Sequence, residues 1–256
     1  MPANYGLLGE HLSHSYSKQI HEALADYTYD LIELTNEGVK EFMTSKEFSA
    51  VNVTIPYKTE VIPYLDVLDE RAKKIGAVNT VVNRNGVLTG YNTDYYGFYY
   101  TLQKNNIKVT GEKVLVLGNG GAAKAILAVL SDLSAKEIVI VKRSSGEGVC
   151  SYEEAYRLHS DATVLINTSP VGMYPHTEET PTTLTPFPHL TAVVDIIYNP
   201  EVTKLLAEAK SRGLITVNGL EMLVAQAFYA VQYFLDTTLN EEKIEEVTQI
   251  IKDSLY

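Results

Sequence analysis

The residues best placed to do chemistry begin at Gly118-Asn119-Gly120-Gly121-Ala122-Ala123. Gly118-x-Gly120-x-x-Ala123 follows the apolar run KVLVL (113–117) and opens the helical stretch AKAILAVLSDL. A first glycine permits a tight turn, and a second lets the backbone approach a pyrophosphate resting on a helix N-terminus. Alanine is an accepted third residue. The pattern alone is unspecific, and its strand–turn–helix context is what makes it point to a dinucleotide. About 20–25 residues further on, where such a fingerprint places its ribose reader, stands Lys142-Arg143-Ser144-Ser145 instead of an acid. Arg143 can clamp a 2′-phosphate bidentately and Ser144 can donate to it, which favours NADP(H) over NAD(H). The plainer readings are a Gly-rich loop without a ligand and a solvated basic loop.

Other segments carry weaker signals. His14-Ser15-Tyr16-Ser17 precedes a helix, and hydroxyls at Ser15 and Ser17 could hold a carboxylate there. Taken alone, Ser17 reads more simply as an N-cap. Asn52-Val53-Thr54-Ile55-Pro56-Tyr57-Lys58 puts a lysine just past a strand end, where ligands gather in open α/β sheets. Its plain reading is a solvated lysine at a helix start. Asn79-Thr80 and Asn92-Thr93-Asp94 flank a hairpin, with Asp94 or Thr93 expected as a helix cap. Tyr198-Asn199-Pro200 ends a strand, and Gln226 lies off the apolar stripe of its helix, in line with Met222, Tyr229 and Tyr233.

These residues need a frame to bring them together. Continuous apolar runs at 113–117, 137–142, 163–167, 192–197 and 214–218 alternate with helical segments, which predicts βαβ units in a parallel sheet covered on both faces. The N-terminal third alternates as well. Strands are expected at 5–9, 29–34 and 49–55, and helices over 17–27 and 39–45. Residues 58–76 read as mostly helical, broken at Pro63, and a hairpin turns at Asn85-Gly86. The last third is helical. Leu220, Val224, Ala227, Phe228, Val231 and Leu235 form one stripe, and Asn240 caps a final helix. A helical tail cannot extend the central sheet. Two α/β domains follow: an N-terminal one over 1–97 completed by 220–256, and a Rossmann-type one over 98–219.

Composition bounds the partners. The chain has 256 residues, 21 Lys+Arg and 32 Asp+Glu, a net charge of −11, which argues against nucleic acid. The charge is uneven: 98–219 nets −1, whereas 1–97 and 220–256 net −5 each. Anionic ligands would therefore be met by local devices. One cysteine, Cys150, excludes an intrachain disulfide and suits a reducing cytoplasm. No metal site is expected, His11-x-x-His14 being the nearest to ligand spacing. Residues 1–15 lack the pattern of a secretory signal, and no run is long and apolar enough for a membrane span. The tyrosine-rich run 95–100 reads as helix packing.

In this order, the segments HSYS, NVTIPYK, GAVNT, YNTD, GNGGAA, NTSPVGM, DIIYNP and GLEMLVAQ resemble the shikimate dehydrogenase family, from about residue 6 to 230. Lys18, Lys142 and the lack of a second basic residue soon after Arg143 depart from the family pattern and bear on cofactor preference. The resemblance implies reversible NADPH-dependent reduction of 3-dehydroshikimate to shikimate, in aromatic amino-acid biosynthesis. It implies Lys58 and Asp94 as the catalytic pair in a cleft between domains. Ser15 and Ser17 would bind the substrate carboxylate with Tyr198 helping, and Thr54, Asn79, Asp94 and Gln226 would hold ring hydroxyls. Gly118 to Ala123, Arg143, Ser144, Asn167, Thr168, Met173 and Gly219 would bind NADP, with no metal and a monomeric or homodimeric enzyme. Three alternatives stay open: a paralogue acting on quinate or an amino-analogue, a non-catalytic dinucleotide-sensing protein, and a methylene-tetrahydrofolate dehydrogenase.

Overall fold

A computed structural model describes residues 5–13 and 15–256; His14, and with it part of the HSYS segment and of the His11-x-x-His14 pair, lies outside the described residues. The chain divides into two compact units, one of Met1–Phe98 with Leu223–Ser254, the other of Tyr99–Met222 with Leu255–Tyr256.

The first unit is built on β1 (Tyr5–Gly9), α1 (Ser17–Leu24), β2 (Tyr29–Glu33), α2 (Asn36–Ser45), β3 (Ala50–Val53), β4 (Val67–Leu68), α3 (Glu70–Ile75), β5 (Thr80–Arg84), β6 (Val87–Tyr91) and the start of α4 (Asp94–Lys104). Its six-stranded sheet has the order β2-β1-β3-β5-β6-β4. β1 pairs parallel with β2 and β3, whereas β3, β5 and β6 run antiparallel in turn. The β5–β6 reversal rests on Asn85 and Gly86, whose φ of 53° and 84° supply the left-handed pair that a two-residue hairpin needs.

Alternate residues of these strands feed two cores. Leu8, Val51 and Val81 pack with Val39 and Met43 of α2 on one face. Leu7, Ala50 and Val82 pack with Tyr29, Ala230 and Phe234 on the other. That is the period of two expected of a sheet covered on both sides. Ala230 and Phe234 belong to the late helix α8 (Leu220–Leu235), followed by α9 (Glu242–Leu255). Within α8 the buried stripe ends at Phe234 rather than at Leu235, which is exposed.

Residues 58–69 differ from the sequence expectation. No helix forms there: a single 3₁₀ turn spans Ile62–Tyr64, β4 pairs with β6, and α3 begins only at Glu70. The reason is local. Pro63 has no N–H to continue a helix, and the N–H groups of Asp66 and Asp69 bond Leu88 O and Gly90 O of β6. The Asp69 carboxylate then caps α3 by accepting from Arg71 N and Ala72 N at 3.0 and 3.3 Å.

The second unit contains β7 (Lys113–Leu117), α5 (Gly121–Asp132), β8 (Glu137–Lys142), β9 (Cys150–Ser151), α6 (Tyr152–Leu158), β10 (Val164–Asn167), β11 (Ala192–Asp195), α7 (Lys204–Ser211) and β12 (Ile215–Val217). All its strand pairs are parallel, in the order β12-β11-β10-β7-β8-β9. This is the doubly wound order, whose direction reverses between β7 and β10; ligands bind at the strand carboxyl ends beside such a switch point. The expected Rossmann-type architecture is thus present. The strands end earlier than the apolar runs suggested, β11 at Asp195 and β12 at Val217.

Candidate active site

Four segments of the first unit reach the same sheet edge. β1 leads to Ser15 and Ser17, and its parallel neighbour β3 leads to Thr54 and Lys58. β5 runs back from that edge, so Asn79 stands just before its first residue, where Asn52 pairs with Thr80. β6 returns to it, and Asp94 follows as the first residue of α4.

Lys58 Nζ donates to Asp94 Oδ2 at 2.6 Å, and both side chains are largely buried. Lys58 is therefore neither solvated nor helical. Its backbone carbonyl accepts from Val78 N at 2.8 Å, which pins the lysine turn beside Asn79. The second oxygen of Asp94 accepts from Asn79 Nδ2 at 3.0 Å. Asn79 Nδ2 also lies 3.3 Å from Gln226 Oε1, bringing a residue of α8 into the cluster. Gln226 is held in turn by donating to Leu223 O at 2.8 Å. α4 begins at Asp94, which places Thr93, one of the two residues expected as its cap, just before the helix; Tyr95 N donates to Asn92 Oδ1, and both carboxylate oxygens of Asp94 are engaged, by Lys58 and Asn79.

The amide of Asn79 has one possible orientation. Thr93 N–H donates to its Oδ1 at 2.7 Å, so its NH₂ must face Asp94. Behind it lies a chain that the sequence did not reveal. Thr80 Oγ1 donates to Asn79 Oδ1 and accepts from Asn52 Nδ2, and Tyr29 OH donates to Asn52 Oδ1 at 2.7 Å. His21 stacks on Tyr29 with ring centroids 4.0 Å apart. Burial pushes the Tyr29 hydroxyl up and His21 down to about 3, so both are neutral at pH 7. The available signal was Asn52 itself, a polar residue inside a buried strand, where a side-chain amide must find partners.

Ser15 and Ser17 stand at the start of α1. Tyr16, not Ser17, occupies the N-cap position; Ser17 is the first helical residue, and its N–H donates to Ser15 Oγ at 3.2 Å. Thr54 is half-buried at the end of β3, packed so closely on Gly9 that a Cβ there would lie 2.7 Å from Thr54 Cγ2.

In the second unit, Gly118 leaves β7 with φ of 100°, a conformation that favours glycine. A Cβ on it would lie 2.9 Å from Thr168 Oγ1, so the turns after β7 and β10 are in contact. A Cβ on Gly120 would meet nothing within 4 Å, and Asn119 beside it is exposed. Gly120 is also the N-cap of α5 and supplies no side chain to the helix's first N–H groups. Gly121 and Ala122 begin that helix half-buried, and Ala123 is fully buried, as close helix–sheet packing requires. Gly118 N–H donates to Val141 O, so the segment that ends in exposed Arg143 and Ser144 runs beside this turn. Open backbone, an uncapped helix N-terminus and an adjacent arginine fit a phosphorylated dinucleotide.

The remaining candidates of this unit are spread over other loops. Asn167 is buried, Thr168 donates to Leu117 O at 2.8 Å, and Met173 is exposed. Tyr198 is half-buried, and its carbonyl accepts from Tyr256 OH. Gly219 packs on Ile196 so tightly that a Cβ would lie 1.9 Å from the Ile196 carbonyl oxygen. That contact explains glycine there without a ligand.

Comparisons with known proteins agree with this arrangement. A family model for the shikimate dehydrogenase substrate binding domain matches residues 7–81. The shikimate dehydrogenase (NADP(+)) of Clostridium beijerinckii is 39% identical, spanning 97% of this chain and 98% of its own. A chorismate mutase/shikimate 5-dehydrogenase fusion protein from Clostridium acetobutylicum superposes with a TM-score of 0.94 at 37% identity, over 100% of this chain and 98% of that one. Shikimate 5-dehydrogenase from Thermus thermophilus, crystallised with NADP(H) and shikimate, gives 0.83 at 29% identity over 96% and 98% of the two chains. With that identity sustained along nearly its whole length, and with both the lysine–aspartate cluster and the glycine turn in place, the chain belongs to the shikimate dehydrogenase family.

Proposed function

We propose that the protein catalyses the reversible NADPH-dependent reduction of 3-dehydroshikimate to shikimate, a step of aromatic amino-acid biosynthesis. Residues 1–97 with 220–256 form the substrate-binding and catalytic domain, and 98–219 the NADP-binding domain. The observation that carries the reading is Lys58 bound to Asp94, with Asn79 and Gln226 around them, at one sheet edge.

Bound NADPH supplies the hydride. Lys58 gives a proton to the carbonyl oxygen as the alcohol forms, and takes it back in the oxidising direction. Asp94 holds the ammonium in place, so the pair also polarises the carbonyl and fixes its position. Thr54, Asn79 and Gln226 orient the ring hydroxyls. Ser15, Ser17 and Tyr198 hold the carboxylate. Gly118 to Ala123, Asn167, Thr168, Met173 and Gly219 hold the dinucleotide, while Arg143 and Ser144 hold its 2′-phosphate. The cytoplasm, as a monomer or homodimer, is the proposed setting, in keeping with a single cysteine; sedimentation of the purified protein measures the assembly. Among the described residues no helix is long and apolar enough to cross a membrane.

The test is a rate comparison of shikimate and quinate, each with NADP and with NAD, read at the reduced-nicotinamide absorbance. Shikimate with NADP is expected to be fastest. Faster turnover of quinate, or no reduction of either nucleotide, would overturn the reading.

A further inference from the structure

Asp195 stands inside the apolar run AVVDII, at the end of β11, and is fully buried. A carboxylate in such a place is costly unless its surroundings answer it. Burial pushes its carboxyl up to about 6, and the groups that answer it are all neutral donors. They come from three segments. Asn167 Nδ2, at the end of β10, donates to Oδ1 at 3.0 Å. Ile197 N–H donates to the same oxygen at 3.2 Å. Thr203 Oγ1, at the N-cap of α7, donates to Oδ2 at 2.8 Å. An ionised carboxylate accepts from all three without presenting a donor of its own.

The consequence runs towards the glycine turn. With its NH₂ bound to Asp195, Asn167 turns its Oδ1 to Ser169 N at 3.0 Å and Ser169 Oγ at 2.7 Å. That sets the shape of the turn 167–169. Thr168 Oγ1 and Ser169 N of the same turn are what a side chain on Gly118 would strike, at 2.9 and 3.3 Å. On its other side, the carboxylate ties down both ends of the segment 197–203 that carries Tyr198.

We propose that Asp195 is a positioning residue of the cofactor site: by orienting the Asn167 amide, it sets the 167–169 turn against Gly118 and keeps the 118–121 loop in the form that receives the dinucleotide. The proposal rests on the reading of this unit as the NADP-binding domain.

The test measures NADPH affinity by nucleotide fluorescence in the full chain, for wild type, Asp195→Ala, Asp195→Asn, Asn167→Ala and the double alanine variant. Shikimate affinity is the control. Asp195→Ala should weaken NADPH by about tenfold, the loss of a hydrogen bond to a charged group; Asn167→Ala, which leaves both ends of the 197–203 segment tied to Asp195, should weaken NADPH with shikimate affinity within about twofold. Asp195→Asn keeps an acceptor for Asn167 and should restore most of the loss. The double variant should be little worse than Asp195→Ala, because the two residues act as one chain. Unchanged NADPH affinity in Asp195→Ala, an asparagine variant no better than alanine, or additive losses would each overturn the proposal. Should Asp195→Ala not fold, Asn167→Ala carries the test, and unchanged NADPH affinity there overturns it. A wild-type protein that binds shikimate but no NADPH would overturn the cofactor reading itself.

Discussion

Lys58 and Asp94, 36 positions apart in the chain, form an ion pair of 2.6 Å from which water is largely excluded. The pair is fixed from both ends: Asn79 holds the second oxygen of Asp94, and Val78 N–H holds the Lys58 carbonyl. Lys58→Ala should therefore remove about 10²–10⁴ of turnover, the usual worth of a positioned proton donor. The KM for shikimate should move far less than kcat. Steady-state rates with shikimate and NADP check this, and full turnover in the variant would exclude the role.

Arg143 stands just past β8, whose residue Val141 accepts from Gly118 N–H. If its guanidinium answers a 2′-phosphate, Arg143→Ala should raise the KM for NADPH by about 10-fold or more and leave NADH nearly unchanged. Equal losses with both nucleotides would remove the assignment.

Tyr29→Phe tests the chain behind Asn79. The substitution removes only the hydroxyl that donates to Asn52 Oδ1, in a site where both residues are buried. An acceptor left unpaired there should cost about 1–3 kcal/mol. Urea unfolding measures it; an unchanged midpoint would mean that Asn52 finds another donor.

Two buried groups give stability opposite slopes with pH. His21 has its folded value lowered from 6.5 to about 3. Its contribution is complete above 6.5 and is lost as pH falls towards 3, up to about 5 kcal/mol. Asp195 has its folded value raised from 3.8 to about 6. Its contribution is complete below 3.8 and is lost as pH rises through 6, about 3 kcal/mol. His21→Phe should flatten the acid limb of a melting-temperature profile, and Asp195→Asn should flatten the decline between about pH 4 and 7. A profile left unchanged by either variant would show that the group does not titrate as assigned.

The doubly wound sheet was legible because its strands are buried on both faces, so KVLVL or EIVIVK needs no alternation to be recognised. Residues 58–69 were not. Val61 and Leu65 share helical spacing, but pairing of Asp66 and Asp69 with β6 is a tertiary event that no local pattern announces. Lys58, Asn79 and Asp94 were each visible as polar residues beside strand or helix ends, and Gln226 as a residue off the apolar stripe of its helix; the convergence of the first three depends on the antiparallel return of β5 and β6. Asn52 and Asp195 were overlooked for a common reason. Each sits in an apolar strand run, where the run draws attention and the polar exception passes as noise, although burial makes that exception the most constrained residue in the segment.

The route of the chain has a consequence for biosynthesis. Every strand of the second unit lies within 113–217, whereas the first unit waits for α8 to bring Ala230 and Phe234 to its sheet and Gln226 to its site. Domains form as units while the polypeptide emerges from the ribosome. The sheet of the second unit is therefore fully synthesised before the older, N-terminal sheet can close its second face. Lys58, Asn79 and Asp94 are made early, but Gln226 joins their cluster only after every strand of the second unit has been translated.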